Sequence, residues 1–332
     1  MQRFEGTTAN EVWQTAFRVL KESPRARLQA SRGGPTRELL HAAFSISDPR
    51  QRWIISRYPP LNPAFALAEV VWILNGSNDA MFLNNWNTQL PQYAGPGASY
   101  HGAYGHRLRQ HLGLDQLERA YFALRGNPDS RQVVLQLWDS RVDLPDESGK
   151  PVDPDIPCNI VSLLKLRDNK LEWMQVMRSN DLYRGTPYNF IQFTSLQEVV
   201  AGWLGAEPGP YVHLSDSLHL YQDDIEANVG AVKVPVEKNT DSLALSWEDS
   251  ERVLATLYHD IMDLASAQLR GNDFRRKVAA VDLPEAYQNI FLIMAAEAAR
   301  RRDWVKFAKR TKEQCSNPVL RQALERWWTR FD

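Results

Sequence analysis

A cysteine preceded by proline, Pro157-Cys158, is followed twenty residues later by Arg178-Ser179-Asn180-Asp181 and then by Gly185-Thr186-Pro187-Tyr188-Asn189. A solitary cysteine is often an inert, buried side chain. Here its neighbours argue otherwise. The polar run from Arg178 carries more donors and acceptors than a core strand would be expected to hold, so Cys158 is a candidate nucleophile. Its reactive form is the thiolate, which a nearby guanidinium such as Arg178 favours. Glu69 lies within the apolar run FALAEVVWILNG. Desolvation there disfavours the carboxylate, which makes Glu69 a candidate proton shuttle with a raised pKa. Cys158 and Cys315 are the only cysteines, with no Cys-x-x-Cys pair and no His/Cys cluster at zinc spacing, so neither a disulfide framework nor a metal is expected. Neither G-x-G-x-x-G nor G-x-x-x-x-G-K-S/T occurs, which argues against a dehydrogenase or a kinase.

Several elements must position these groups. The spacing predicts a helix over Glu11 to Leu20 and a buried one over FALAEVVWILNG, stopped by Gly76. Strands are predicted at 132–138, 159–167 and 170–178, the last two joined by Asp168-Asn169 as a hairpin with Cys158 at one end and Arg178 at the other. A helix over FIQFTSLQEVVAGWLG, closing at Gly205, and a strand over PYVHLSDSLHLY follow. From Ser246 the SWED capping box and the spacing of Val253, Leu254, Leu257, Tyr258, Ile261 and Leu264 announce a helical tail. AYQNIFLIMAAEAARRRD and the segment ending ALERWWTRFD continue it. The expected fold class is α+β, a mostly antiparallel sheet flanked by helices. One domain is expected over residues 1–245 and a helical C-terminal extension over 246–332.

The 332 residues, 43% apolar with 11 tryptophans, can bury a large core. A formal net charge of -1 argues against a general grip on nucleic acid or an anionic membrane. The opening MQRFEGTTANEVWQ has no basic segment leading into an apolar one, and no apolar run is long enough to span a bilayer. A cytoplasmic location is expected.

Pro-Cys, then Arg-Ser-x-Asp, then Gly-x-Pro-Tyr-Asn resembles the thymidylate synthase family. The resemblance extends to EVVWILNG (Glu69 to Gly76), Tyr104-Gly105, NPDSRQVVLQLWD and the triplet Asp216, His219 and Tyr221, covering most of residues 10 to 222. It implies a homodimer that binds a pyrimidine nucleoside 5′-monophosphate and 5,10-methylenetetrahydrofolate. Cys158 would add to C6 of the ring so that C5 becomes nucleophilic. Glu69 would organise water and proton transfers near O4, with Tyr104 also in the catalytic set. Asp181 and Trp72 would contact the folate. Arg32, Arg178 and Ser179 would hold the phosphate together with Arg131 from the partner subunit. A planar guanidinium suits that task because it binds two oxygens at once. His219 and Tyr221, two apart in an extended segment, would hold the ribose 3′-hydroxyl. Asn189, a neutral amide able to serve both O4 and N3–H, favours uracil over cytosine.

The chain departs from the family pattern at four places. Gln132 replaces a second arginine, an extra residue separates Asp216 from His219, the Trp-x-x-Trp segment becomes LPQY or PQYA at 90–94, and the short apolar C-terminus becomes a helical tail. The last two belong to the apparatus that excludes water from a methylene intermediate. Admission of water favours a 5-hydroxymethyl product, with dUMP as the favoured substrate and CMP or dCMP as alternatives. True thymidylate synthesis and a non-catalytic nucleotide-binding homologue are the other readings.

Overall fold

The computed structural model describes residues 1–31, 33–227 and 229–331; Arg32, expected at the phosphate, lies outside them. Its frame is a seven-stranded sheet. In chain order the strands are β1 (Gln2–Gly6), β2 (Arg27–Gln29), β3 (Thr36–Ile46), β4 (Val134–Gln136), β5 (Asn159–Arg167), β6 (Lys170–Asp181) and β7 (Glu207–Tyr221). Side by side they run β1-β3-β7-β6-β5-β4, with β2 also paired to β3. The ladders β2/β3, β3/β7, β4/β5 and β5/β6 are antiparallel, whereas β1/β3 and β6/β7 are parallel.

Parallel neighbours require a crossover, usually helical. The helices are α1 (Ala9–Glu22), α2 (Pro63–Leu74), α3 (Tyr104–Arg109), α4 (Thr186–Trp203), α5 (Trp247–Ala265), α6 (Gly271–Ala280), α7 (Glu285–Arg300), α8 (Val305–Gln314) and α9 (Pro318–Trp328), besides shorter turns and one peripheral helix. Helix α1 lies between β1 and β3, and α4 between β6 and β7. In α2, Asn62 caps the start by accepting from the Phe65 amide, Pro63 opens the first turn, and Gly76 beyond the end adopts a φ of 66°. Every α2 residue except Glu69 is buried, so its sequence carries no amphipathic stripe.

The β5–β6 hairpin turns at Asp168 and Asn169, both with positive φ (49° and 57°), the backbone of a primed two-residue turn. Strand β6 does not stop at Arg178 as its polar continuation suggested. It runs on to Asp181, because Asn180 is buried with its amide hydrogen-bonded to His213 and Ser215. The expected strand over 132–138 shrinks to Val134–Gln136.

In the C-terminal part, Ser246 caps α5 by accepting from the Asp249 amide at 3.1 Å. Helices α5, α7 and α9 pack on α2. Helices α6 and α8 are absent from the pattern read in the sequence; α6 buries Phe274 and Val278, and α8 buries Ala308, Thr311 and Lys312. One hydrophobic cluster runs from Phe4 to Leu324, across residue 246. No helix among the described residues is long and apolar enough to cross a membrane.

Candidate active site

Cys158 immediately precedes β5 and is half-buried. Across the hairpin, the Arg178 backbone N–H donates to the Cys158 carbonyl at 2.9 Å. The Arg178 side chain folds back along the same segment, its Nε donating to the Pro157 carbonyl at 3.0 Å and an Nη to that of Ile156 at 3.1 Å. Its guanidinium carbon stands 5.4 Å from the Trp138 ring centre. The cation is therefore fixed beside the thiol-bearing turn by two carbonyls and an aromatic ring.

Tyr104, at the start of α3, lies within electrostatic range of Cys158, Asp155 and Glu69, and its hydroxyl interacts with Asn159. Burial, then the neighbouring Cys158, pushes its hydroxyl well above the ordinary tyrosine range, so it stays protonated. Gly105 lets α3 come this close. A Cβ there would stand 2.4 Å from the Ile73 carbonyl oxygen at the end of α2. On that helix, Glu69 has its carboxyl pushed up to about 8 by burial, against the opposing effect of a bond from Gln192. Its Oε2 is buried without a hydrogen-bond partner among the described residues. Burial thus favours the protonated carboxyl near neutral pH.

On the other side of β6, Asp181 pairs in register with His219 of β7. Its Oδ1 accepts from the amides of Tyr183 (2.8 Å) and Arg184 (2.7 Å), capping the turn into α4. Burial raises this carboxyl, while His219 and the two amides pull the other way. Ser179, half-buried, lies opposite Ser217. The rings of His219 and Tyr221 meet edge to face at 5.6 Å, so the two share a face. Gly33 abuts this pair, because a Cβ on it would stand 2.8 Å from the Tyr221 hydroxyl. Asn189, in the first turn of α4, donates Nδ2 to Asn180 Oδ1 at 3.4 Å.

Two expected site residues, Trp72 and Arg131, and Asp216 of the family-like triplet lie apart from these contacts. Trp72 is buried and its indole N–H donates to the Asp79 carbonyl at 2.9 Å. Arg131 is exposed on the loop before β4. Asp216 is exposed and paired with His41 at 2.9 Å. Asn159, Asn180, Gln192 and His213 were not singled out by sequence. Each is buried and hydrogen-bonded or packed among the residues above, a role that neither periodicity nor motif reveals. Among the described residues, no group of His, Cys, Asp or Glu could hold a metal ion.

The sheet that carries the Cys158–Arg178 hairpin, with the long buried α4 and the further helices flanking it, is the thymidylate synthase fold. The chain belongs to the thymidylate synthase family, whose sequence model matches residues 51–266. It is 33% identical over 241 residues to a deoxyuridylate hydroxymethyltransferase of Bacillus phage SP01, covering 69% of this chain and 61% of that protein. A second deoxyuridylate hydroxymethyltransferase, from Pseudomonas phage M6, is 36% identical over 177 residues, 53% of this chain and 49% of the other. Thymidylate synthase 1/2 of Encephalitozoon cuniculi is 30% identical over 142 residues, 43% of each chain. The chain thus matches less than two thirds of the length of these relatives.

Proposed function

We propose that this protein transfers a one-carbon unit to C5 of dUMP and releases 5-hydroxymethyl-dUMP. The observation that supports this most is the grouping of Cys158, Arg178, Tyr104 and the neutral Glu69 around one hairpin end, with Asn189 held at the start of α4. Cys158 Sγ adds to C6, and the electron pair moves to C5, which forms the new carbon–carbon bond; C5 then gives up its hydrogen as a proton to water, the one-carbon unit's bond to its carrier nitrogen breaks, and Sγ leaves C6 as water adds to the new carbon. Arg178 and Ser179 bind the phosphate, His219 and Tyr221 the ribose, and Asn189 the O4/N3–H edge. Glu69, protonated, donates toward O4 as negative charge develops there, and returns the proton when Cys158 leaves.

The residues fit 5,10-methylenetetrahydrofolate as the co-substrate. Asp181 uses Oδ1 for two backbone amides, which leaves Oδ2 for a pterin N–H donor. When bound, the folate supplies carbon at the oxidation level of formaldehyde. In the hydroxymethyl reading, water then adds to that carbon and no hydride is transferred. The short helix Pro91–Ala94 with its exposed Tyr93, in the segment where the family pattern has two tryptophans, supports a site that admits water. So do the relatives named as hydroxymethyltransferases.

Residues 1–245 would form the catalytic unit, and residues 246–332 a buttress behind α2. A homodimer in which the partner's Arg131 reaches the phosphate accounts for the exposure of that residue within one chain. Mixing Cys158→Ala and Arg131→Ala chains tests it: restored activity is expected from the mixed dimer, and none contradicts the trans contact.

The reaction is tested by incubating the protein with methylenetetrahydrofolate and, separately, dUMP, UMP, dCMP and CMP, with products identified by mass spectrometry. 5-Hydroxymethyl-dUMP is expected. Thymidylate would replace the hydroxymethyl step by reduction, and no product from any nucleotide would overturn the proposal.

A further inference from the structure

Behind Asn189 lies a chain of buried hydrogen bonds. His213 on β7 is inaccessible and packed among the edges of Phe44 and Phe190, so burial drops its imidazole to about 3 and it stays neutral. A neutral imidazole has one N–H and one acceptor nitrogen. Its Nε2 faces the Asn180 amide nitrogen at 3.1 Å, and its Nδ1 faces the Tyr211 hydroxyl at 2.9 Å. As placed, the Asn180 amide turns its nitrogen to the ring, and an amide nitrogen only donates, so in this arrangement Nε2 is the acceptor and the ring proton sits on Nδ1, donated to Tyr211. The Asn180 Nδ2 also donates to Ser215 Oγ at 2.9 Å. Both its N–H groups are then used, and Asn180 Oδ1 can only accept, from Asn189 Nδ2 at 3.4 Å and from Thr186 Oγ1 at 3.0 Å, whose one hydroxyl proton is shared with the Asp181 carbonyl at 2.9 Å.

This order of donors has a consequence at Asn189. A side-chain amide presents a paired C=O and N–H edge, and turning it over about its last torsion exchanges the two. A uracil edge needs an N–H toward O4 and a C=O toward N3–H; a cytosine edge needs the reverse. With one Asn189 N–H committed to Asn180, only one sense is available. Turning the amide over would set its carbonyl against Asn180 Oδ1. Relief would require Asn180 to turn as well, the His213 proton to move from Nδ1 to Nε2, and the Tyr211 hydroxyl to reverse. Tyr211 and His213 are fully buried, Ser215 and Asn180 nearly so, so water does not replace a lost bond.

We infer that His213, acting through Asn180, is a positioning residue that locks the Asn189 amide in one sense and thereby makes the site refuse cytosine nucleotides. The inference rests on the proposed pyrimidine-nucleotide reaction, with dUMP fixing the locked sense as the uracil one.

The test has two arms. In the first, His213→Phe keeps a ring in the cavity but removes the acceptor that orients Asn180. The ratio of kcat/KM for dUMP to that for dCMP is expected to fall by roughly 10-fold or more, equivalent to about 1.4 kcal/mol. An unchanged ratio in a folded variant overturns the relay, because a purely structural role would lower both substrates together. The second arm uses nitrogen-15 NMR of histidine-labelled wild-type protein, and so does not depend on the variant folding. A neutral His213 protonated on Nδ1 is expected, and protonation on Nε2 overturns the relay. Wild-type protein that converts no pyrimidine nucleotide would sink the proposed reaction, while the tautomer would still decide the relay.

Discussion

The Arg178 main chain donates to the Cys158 carbonyl at 2.9 Å while the Arg178 side chain grips the two carbonyls just before it. One residue therefore ties down the backbone of the cysteine-bearing turn at the hairpin's open end and holds a permanent positive charge against the two carbonyls that precede Cys158. The same guanidinium is the cation that the proposal brings to the nucleotide phosphate, so in that proposal nucleophile and anion site would be set by a single side chain.

Arg178→Lys separates those roles from bare charge. Lysine keeps the cation but loses the planar fork that spans two carbonyls and two phosphate oxygens. Losing two charge-assisted hydrogen bonds at about 1.5 kcal/mol each lowers kcat/KM for dUMP by roughly 100-fold. Steady-state kinetics checks this, and a variant within about threefold of wild type would show that charge alone suffices.

Glu69 carries a pH signature. Its carboxyl is pushed up to about 8 from an ordinary value of 4.5, so the folded protein keeps a proton there that the unfolded chain releases. Its contribution to stability is full below the unfolded value and is lost as pH rises toward the folded one, levelling off above it. Activity that needs the neutral acid should fall on the alkaline side of pH 8. Glu69→Gln is expected to remove this site's share of the stability loss between about pH 5 and about pH 9, and to lower kcat by 100-fold or more. Urea midpoints at the two pH values, with a pH–rate profile, check both. Equal declines in wild type and variant would contradict a buried neutral acid.

Gly105→Ala tests the contact that brings Tyr104 to the thiol. The added Cβ would stand 2.4 Å from the Ile73 carbonyl oxygen and 2.7 Å from its Cα, both of them backbone atoms of α2. Helix α3 must move, which costs about 1–3 kcal/mol of stability and shifts Tyr104 away from Cys158. Chemical denaturation and single-turnover rates should both drop, whereas a variant that folds and turns over normally would show that this close approach is dispensable.

Much of the frame is legible in the sequence, and the reasons are local. The hairpin carrying Cys158 and Arg178 is written in two strand-like runs around Asp168-Asn169, and α2 in an apolar run ended by Gly76. What escapes is set by distant partners. β6 continues to Asp181 because residues 33 and 35 positions further on supply Asn180's hydrogen bonds, a satisfaction that no window over RSND can show. His213 looks like an ordinary strand residue until its two neighbours are known. Asp181 has a turn to cap as well as its place in the family motif, and both demands meet in one carboxylate. Arg131 projects from an exposed loop, so its expected role depends on a second copy of the chain rather than on its own surroundings.

In the proposed reaction the Cys158 sulfur adds to C6 and loosens the hydrogen at C5. That addition is tested most directly by tritium released to water from [5-³H]dUMP in the presence of methylenetetrahydrofolate, comparing wild-type protein with Cys158→Ala. Steady release by wild type is expected, and none above background by a folded variant that still binds dUMP. Release of equal size from the variant would contradict it.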